Sequence, residues 1–436
     1  MRSIAIGLLG AGNVGGGVIR ILQENRDSIE RRLGAGVQVK RVLVRDPSRG
    51  RDVDVPEELL TTDADEVLAD PDVRVVVELI GGIEPARTYI LDAIRRGKHV
   101  VTANKALLGQ HGREIFDEAT RCGVSVFFEA SVAGGIPILR SLREGLASDH
   151  ILRLSGIVNG TSNYILDAMA REGSSFEDAL AAAQRAGYAE ADPTMDVEGT
   201  DAAQKLALLA LVSFGIRVDP AEIPTEGITR IRPFEHQMAR DLGYVVKSIA
   251  VARADEDGPM LAVYPAMIPR GSLLADVHGS YNAVLVESRA LGRSMYYGRG
   301  AGMMPTGTAV VSDIIEVCRG LQSFAEGRPP PQAFSRVEEG RPKPLDDERS
   351  ENYLCVHVPN VPGVLGRVAS SLGEHGVSIS RMNQEAPGDS ETVDMVILTE
   401  AVEEAELRAA IATLDRFEDV LAPTHRLRIL PPDPLD

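Results

Sequence analysis

The chain begins with a seven-residue apolar run, SIAIGLL at 3–9. It ends directly on Gly10-Ala11-Gly12-Asn13-Val14-Gly15, and an amphipathic stretch follows from 18 to about 23. A strand, a glycine turn and a helix in that order restrict the fold strongly. The glycines allow a tight turn, and backbone N–H groups then meet a pyrophosphate at the helix N-terminus. In this arrangement Gly10 permits the turn, Gly12 the close approach of a ligand and Gly15 the packing of helix on strand, with Asn13 and Val14 between them. The competing reading is a tight strand-to-helix turn that holds nothing. Apolar runs at 37–44, 73–79, 99–102 and 125–128 alternate with helix-like segments such as 87–96 and 113–121. That alternation predicts a parallel sheet of the Rossmann type.

The end of the second predicted strand bears on the cofactor. An acidic residue there would hydrogen-bond a ribose 2′-OH; the chain has Arg45 first and Asp46 next, with Arg49 and Arg51 close behind. Arginine suits a 2′-phosphate, which favours NADP over NAD. Two alternatives stay open, Asp46 taking a ribose and the arginines forming a solvated loop.

At 436 residues the chain has room for two to four domains, and 44% hydrophobic with 25% charged residues is ordinary for a globular protein. The 46 Lys and Arg against 64 Asp and Glu leave a net charge of −18, opposite to the basic surface that nucleic acid or an anionic membrane attracts. The absence of Trp and 4% aromatics also disfavour base stacking. Three distant cysteines, Cys122, Cys318 and Cys355, indicate neither a disulfide framework nor a zinc cluster and fit a reducing cytosol. No apolar run reaches the roughly 18 residues of a membrane span. Met1-Arg2 and the first apolar run mimic a signal peptide, but no small-residue cleavage site follows, so a cytoplasmic location is expected.

Between 190 and 214 there are five acids, Glu190, Asp192, Asp196, Glu198 and Asp201, and one base, Lys205. A helix is predicted from near 197 to 214. Asp201 and Lys205 then share one face, and nearly everything after Lys205 is apolar, which puts the ammonium at the wall of a cleft. An ordinary i,i+4 ion pair worth ~0.3–0.5 kcal/mol accounts for the spacing equally well. The chemical reading is that hydride delivery to a carbonyl leaves an alkoxide, to which a lysine held beside a carboxylate can give a proton. A loop carboxylate such as Glu190 could hold a substrate ammonium. Lys105, at the end of a predicted strand, reads either as a ligand contact at the carboxyl edge of the sheet or as a surface lysine.

Six segments carry a resemblance to the homoserine dehydrogenase family: GAGNVGGGV at 10–18, TANKALL at 102–108, EASVAGGIPI at 129–138, NGTSNYIL at 159–166, GYAEADPTMDVEGTDAAQK at 187–205 and GRGAGMMPTGTAVVSD at 298–313. The resemblance implies interconversion of L-aspartate 4-semialdehyde and L-homoserine with NAD(P), with Lys205 as proton donor and acceptor, Asp201 as its partner, and Gly187 and Glu190 at the substrate. It also implies that Lys105 contacts cofactor and substrate, that Gly302 lies near the cofactor, and that Glu129, Val132, Gly134 and Ile136 hold a structural sodium ion, mainly through backbone carbonyls. Two other functions are compatible with the residues: a different NADP oxidoreductase of small amino-acid aldehydes or keto acids, and an amino-acid sensor that binds NADP without turnover. No Cys lies near these motifs to serve as a thiohemiacetal nucleophile.

Five prolines, Pro329, Pro330, Pro331, Pro342 and Pro344, mark residues 326–350 as a semi-stiff linker. Beyond it, predicted elements at 353–358, 364–375, 377–383, 392–399, 403–414 and 420–429 spell βαββαβ, a ferredoxin-like unit. NVPGVLGRVASSLGEHGVSIS at 360–380 resembles the start of ACT domains, which bind small amino acids against a neighbouring subunit, although Asn360 and Val361 stand where an acidic residue is frequent. In homoserine dehydrogenases of this layout the implied effector is threonine; an oligomerisation module without ligand is the alternative. Residues 351–430 hold 13 acids against 6 bases, which again argues against nucleic acid.

The expected architecture is therefore α/β. A Rossmann NAD(P)-binding domain spans 1–135 and is completed by about 300–325, with a helix over 308–318. An α+β catalytic and oligomerisation domain with a mixed sheet, including strands at 151–158, 261–268 and 284–288, spans 136–300, and an ACT domain spans 351–430. A homodimer or homotetramer is expected.

Overall fold

The computed structural model describes residues 3–255, 258–323, 334, 337–384 and 390–431. Six parallel strands form the first sheet, in the spatial order Leu60–Thr61, Gly36–Leu43, Ser3–Leu9, Val73–Glu78, His99–Thr102 and Val126–Phe127. The winding reverses between Ser3–Leu9 and Val73–Glu78, and a crevice opens at the carboxyl ends of those two strands. Apolar side chains run almost unbroken along them, with Ile6, Leu8, Leu9, Val75, Val76 and Val77 all at 0% exposure, because helices cover both faces.

The helix Met303–Ser323 returns from far along the chain to pack on Asn13–Glu24. The two helices touch backbone to backbone: a Cβ on Gly17 would collide with the Met303 carbonyl, and one on Gly307 would lie 2.9 Å from the Gly17 carbonyl carbon. This helix starts five residues ahead of the expected 308.

The second sheet is larger than the sequence suggested. Its order is Gly292–Arg299, Tyr281–Ser288, Ile151–Ile157, Tyr244–Asp255, Gly258–Pro269, His425–Ile429, Arg349–Pro359, Thr392–Thr399 and Ile379–Gln384, with Val402–Glu403 attached to Arg349–Pro359. Among the described residues, neighbouring strands here run antiparallel except at one junction. There Ala266 pairs with Arg428, and Met267 with Ile429, in parallel. The sheet is thus mixed, and it continues without a break into the C-terminal ferredoxin-like unit, whose own strand order is fourth, first, third, second. A shared core reinforces the junction, since Ile228, Met238 and Met267 are buried together with Tyr353, Cys355, Leu427 and Ile429.

Of the stretch expected as a linker, residues 326–333, 335 and 336 lie outside the described residues, Pro329, Pro330 and Pro331 among them. Its later part is pinned to the second sheet's surroundings: Glu338 and Glu339 pair with Ile216 and Arg217, and the Lys343 amide donates to the Pro259 carbonyl at 2.8 Å. Two strands, Tyr244–Asp255 and Gly292–Arg299, were not foreseen. The helix expected from 197 is broken: a turn at Thr194–Val197 is followed by Gly199 at φ 85°, and the helix proper is Thr200–Phe214. Cys318 and Cys355 are buried and Cys122 half-buried, all three unpaired. No helix among the described residues is long and apolar enough to cross a membrane.

Candidate active site

A cleft of about 1040 Å³ opens at the crevice of the first sheet. Gly10, at φ 105°, lies so close to the next strand that a Cβ there would sit 2.8 Å from the Leu79 carbonyl oxygen, whereas a Cβ on Gly12 would meet nothing within 4 Å. The helix Asn13–Glu24 has no side-chain cap at its N-terminus. Its first amides therefore face the cleft unsatisfied by protein side chains, as an anion-binding helix end requires. Val14 is half-buried against the core beneath. Glu78, fully buried, accepts from Thr102 Oγ1 at 2.6 Å and from the Ile80 and Gly81 amides at 2.8 and 3.0 Å, fixing the opposite wall.

Arg45, Asp46, Arg49 and Arg51 line the same cleft. Arg51 fastens the loop by donating to the carbonyls of Asp46, Pro47 and Arg49 at 2.7, 2.9 and 2.8 Å. The Asp46 carboxylate turns back into the loop, accepting from Ser48 Oγ at 2.6 Å and from the Ser48 amide at 2.9 Å, and these bonds hold its carboxyl below the usual value. Gly302, at φ 126°, immediately precedes Met303, which lines the cleft.

Asp201 is the hub of a second constellation. It is buried, and its Oδ2 lies 2.6 Å from Lys205 Nζ while its Oδ1 lies 3.1 Å from Lys105 Nζ. Lys205 comes from one turn further along the same helix. Lys105 comes from the start of the helix Lys105–Cys122, just past the carboxyl end of the strand His99–Thr102, where Asn104 caps the helix by accepting from the Leu107 amide. Burial alone would push the Asp201 carboxyl up, but the charges of Lys205 and Lys105, with hydrogen bonds from Lys205 and Asn159, outweigh it and hold the carboxyl at about 2. Lys205 also donates to the Val158 carbonyl at 2.7 Å. Two of its three N–H bonds are thus directed by protein acceptors, and the ammonium is fixed in orientation.

Asn159 and Asn282 were not anticipated. Asn159 Oδ1 caps the helix Gly160–Glu172 by accepting from the Ser162 amide at 2.8 Å, and its Nδ2 donates to both Asp201 Oδ2 and Asp196 Oδ1 at 2.7 Å. Asn282 donates to the Val158 carbonyl at 2.9 Å, the same oxygen that Lys205 uses. An Asn ahead of Gly-Thr-Ser is a readable helix-cap signal; its second use, on Asp201, depends on tertiary contact.

The loop carrying Gly187 and Glu190 is tied to this helix end. Thr161 Oγ1 donates to the Tyr188 carbonyl at 2.7 Å, and the Tyr164 and Tyr188 rings lie 4.6 Å apart. Gly187 and Glu190 are both exposed, and the Glu190 carbonyl accepts from Gln184 at 3.0 Å. Among the described residues, no ion pair or hydrogen bond joins the Glu190 carboxylate to Lys205 or Asp201.

Glu129, Val132, Gly134 and Ile136 lie in the segment joining the first sheet to the second. The Glu129 carboxylate is buried and accepts from the Leu139 and Arg140 amides at 2.8 and 2.7 Å, while burial pushes its carboxyl up. Ala133 and Gly134 take positive φ angles of 51° and 43°. The Val132 and Gly134 carbonyls accept no internal hydrogen bond among the described residues.

Known proteins resemble this chain along nearly its whole length. Residues 137–315 match the family described as homoserine dehydrogenase, 10–129 its NAD-binding domain and 353–419 the ACT domain. The chain is 44% identical to homoserine dehydrogenase of Pseudomonas aeruginosa over 98% of this chain and 99% of that one, and 42% identical to that of Bacillus subtilis over 96% of each. The crystal structure of a homoserine dehydrogenase from Thiobacillus denitrificans superposes with a TM-score of 0.92 at 43% identity, covering 99% of both chains. A hyperthermophilic archaeal homoserine dehydrogenase in complex with NADPH superposes with a TM-score of 0.62 at 25% identity, over 75% of this chain and all of its own. With its glycine-turn cleft, its lysine-flanked buried aspartate and its C-terminal ferredoxin-like unit, the chain belongs to the homoserine dehydrogenase family of NAD(P)-dependent oxidoreductases with a C-terminal ACT domain.

Proposed function

We propose that this enzyme interconverts L-aspartate 4-semialdehyde and L-homoserine with NADP(H) in preference to NAD(H), using Lys205 as the proton donor and acceptor. The observation that carries the reading is the Asp201 carboxylate held between two lysine ammoniums at 2.6 and 3.1 Å. When bound at the glycine turn, the nicotinamide cofactor supplies the hydride for the aldehyde carbon or accepts it from the alcohol. Lys205 gives a proton to the aldehyde oxygen as negative charge develops there, with Asp201 keeping the ammonium in place and Lys105 adding a second positive charge. Glu190, on the exposed loop, takes the substrate ammonium, and Gly187 shapes that loop. Gly10, Gly12, Asn13, Val14 and Gly15 receive the pyrophosphate, with Gly302 closing from the other side.

Arg45 and Arg49 favour a 2′-phosphate because Asp46, the carboxylate next to Arg45 in the chain, is engaged by Ser48; the NADPH complex of the archaeal relative supports the same cofactor. A sodium ion fits the carbonyls of Val132 and Gly134, which lack other partners among the described residues, with Ile136 and Glu129 completing the segment. The ACT domain takes L-threonine as effector, and the enzyme works as a cytoplasmic homodimer or homotetramer.

The test of substrate placement is Glu190→Gln. Its KM for L-homoserine rises by about tenfold or more, since a charge-assisted bond is worth ~1.5–3 kcal/mol, while the KM for NADP+ stays within about twofold. Unchanged homoserine KM removes Glu190 from the site.

A further inference from the structure

A second cleft, of about 480 Å³, lies at the C-terminal half of the helix Gly160–Glu172, between the helix Pro233–Leu242 and the start of the strand Tyr244–Asp255. None of the residues placed at the reaction lines it. Four cations, Arg171, Arg240, Arg270 and Lys247, face two carboxylates, Asp167 and Asp276. That surplus of two positive charges sits in a chain of net charge −18.

The carboxylates cancel the cations only in part: Asp167 Oδ2 lies 3.9 Å from an Arg171 guanidinium nitrogen, and Asp167 and Asp276 both act on Lys247. Asp167 is already satisfied, with Oδ1 2.9 Å from His278 Nδ1 and Oδ2 accepting from the Gly279 amide at 3.0 Å. Lys247, 3% exposed, donates to the Val277 carbonyl at 2.6 Å and to Asn163 Oδ1 at 3.2 Å, which leaves one N–H of its three. His236, 5% exposed, has an Nε2 with no hydrogen-bond partner among the described residues. A buried imidazole nitrogen left unpaired costs free energy, and a ligand that meets it recovers that cost. Burial first, then the charges of Lys247 and Arg240, outweigh the Asp167 carboxylate and push the His236 ring down to about 4.

We propose that this cleft binds a small phosphate-bearing molecule, whose phosphoryl dianion is held by Arg240, Arg270 and His236 beside the Lys247 ammonium. The dianion matches the surplus of two positive charges, and guanidinium forks fit phosphate oxygens. Arg240 is steadied for the task by donating to the Ala170 carbonyl at 2.6 Å. Leu166, Val246 and Ala275 supply apolar wall for the organic part, within a volume typical of metabolite sites.

The test is calorimetric titration of inorganic phosphate into the full-length enzyme at pH 7.5, below the value of about 8 to which burial lowers Lys247, with saturating NADP+ so that the glycine turn is already filled. Saturable binding with a Kd below about 1 mM is expected. Arg270→Gln and His236→Gln should each weaken it by about tenfold or more, because each removes one charge-assisted or buried contact. Arg408→Gln, on the helix Glu404–Leu414 of the ACT domain, should leave it unchanged. Homoserine oxidation at the wild-type rate certifies the fold of each variant, and Arg270, exposed, carries the test if His236→Gln does not fold. Absence of saturable binding, an Arg270→Gln affinity equal to wild type, or succinate binding as tightly as phosphate would each overturn the proposal.

Discussion

Lys205 Nζ lies 2.6 Å from Asp201 Oδ2, one helical turn away and inside the protein. At this spacing on an exposed helix the pair would contribute only ~0.3–0.5 kcal/mol. Here the aspartate is 6% exposed and has a second lysine on its other oxygen, so removing Asp201 leaves two facing ammoniums with no carboxylate between them.

Asn159 provides a way to disturb that balance without touching either charge of the pair. Asn159→Ala should lower the rate of homoserine oxidation by about tenfold or more, the equivalent of one lost hydrogen bond to a charged group. It should also cost about 1 kcal/mol of stability for the missing helix cap. Asn159→Asp keeps the cap acceptor yet sets a carboxylate against Asp196 and Asp201, so it should lose the rate with less of the stability. Steady-state kinetics and urea midpoints on the two variants check this.

Acid should weaken the fold through Asp201. Its folded carboxyl is held at about 2, below the ordinary 3.8. The stabilisation it contributes is therefore complete above about 4 and is lost as pH falls from there through about 2. Between pH 6 and pH 3 the urea midpoint of wild type should fall further than that of Asp201→Asn, which has no proton to gain. Equal falls would show that Asp201 is not held down.

Cofactor choice should reside in Arg45. Arg45→Ala is expected to lower kcat/KM for NADP+ by about tenfold, the loss of roughly one charge-assisted contact, and to leave kcat/KM for NAD+ within about twofold. Parallel loss with both cofactors would make Arg45 a general cleft residue.

Truncation at 349 is a poor way to separate regulation from catalysis. It strips the partner strand from Ala266 and Met267 and uncovers Ile228, Met238 and Met267, at about 1.5–3 kcal/mol per side chain. The shortened chain should aggregate or melt well below wild type. A point change in the full chain is the cleaner probe. Gly363, at φ 94°, opens the ACT helix Val364–Glu374 in a turn that leaves Val361 53% exposed. Gly363→Val should leave homoserine oxidation near wild type and abolish inhibition by L-threonine, read from inhibition curves.

The glycine turn and the Asp201–Lys205 pair were legible in the sequence because each rests on local spacing. Gly10 to Gly15 follow a strand directly, and four residues on a helix return to one face. What stayed hidden depends on distant contacts. Lys105 reaches Asp201 from another domain layer, and Asn159 serves it from the end of a different helix. The strand Tyr244–Asp255 carries Lys247 and Ser248 within its apolar run, and Gly292–Arg299 is held by pairing with Tyr281–Ser288, not by any alternation of its own. The joining of Met267 to Ile429 has no local signature either, so a continuous sheet reads in sequence as two domains and a linker.

The most direct test of the central claim follows the reduced-nicotinamide absorbance produced from L-homoserine and NADP+ by wild type and Lys205→Ala, alongside NADP+ affinity. The account predicts a turnover lower by about 10²–10⁴, the usual worth of general acid–base help, with cofactor affinity almost unchanged. A Lys205→Ala enzyme turning over near the wild-type rate would contradict it.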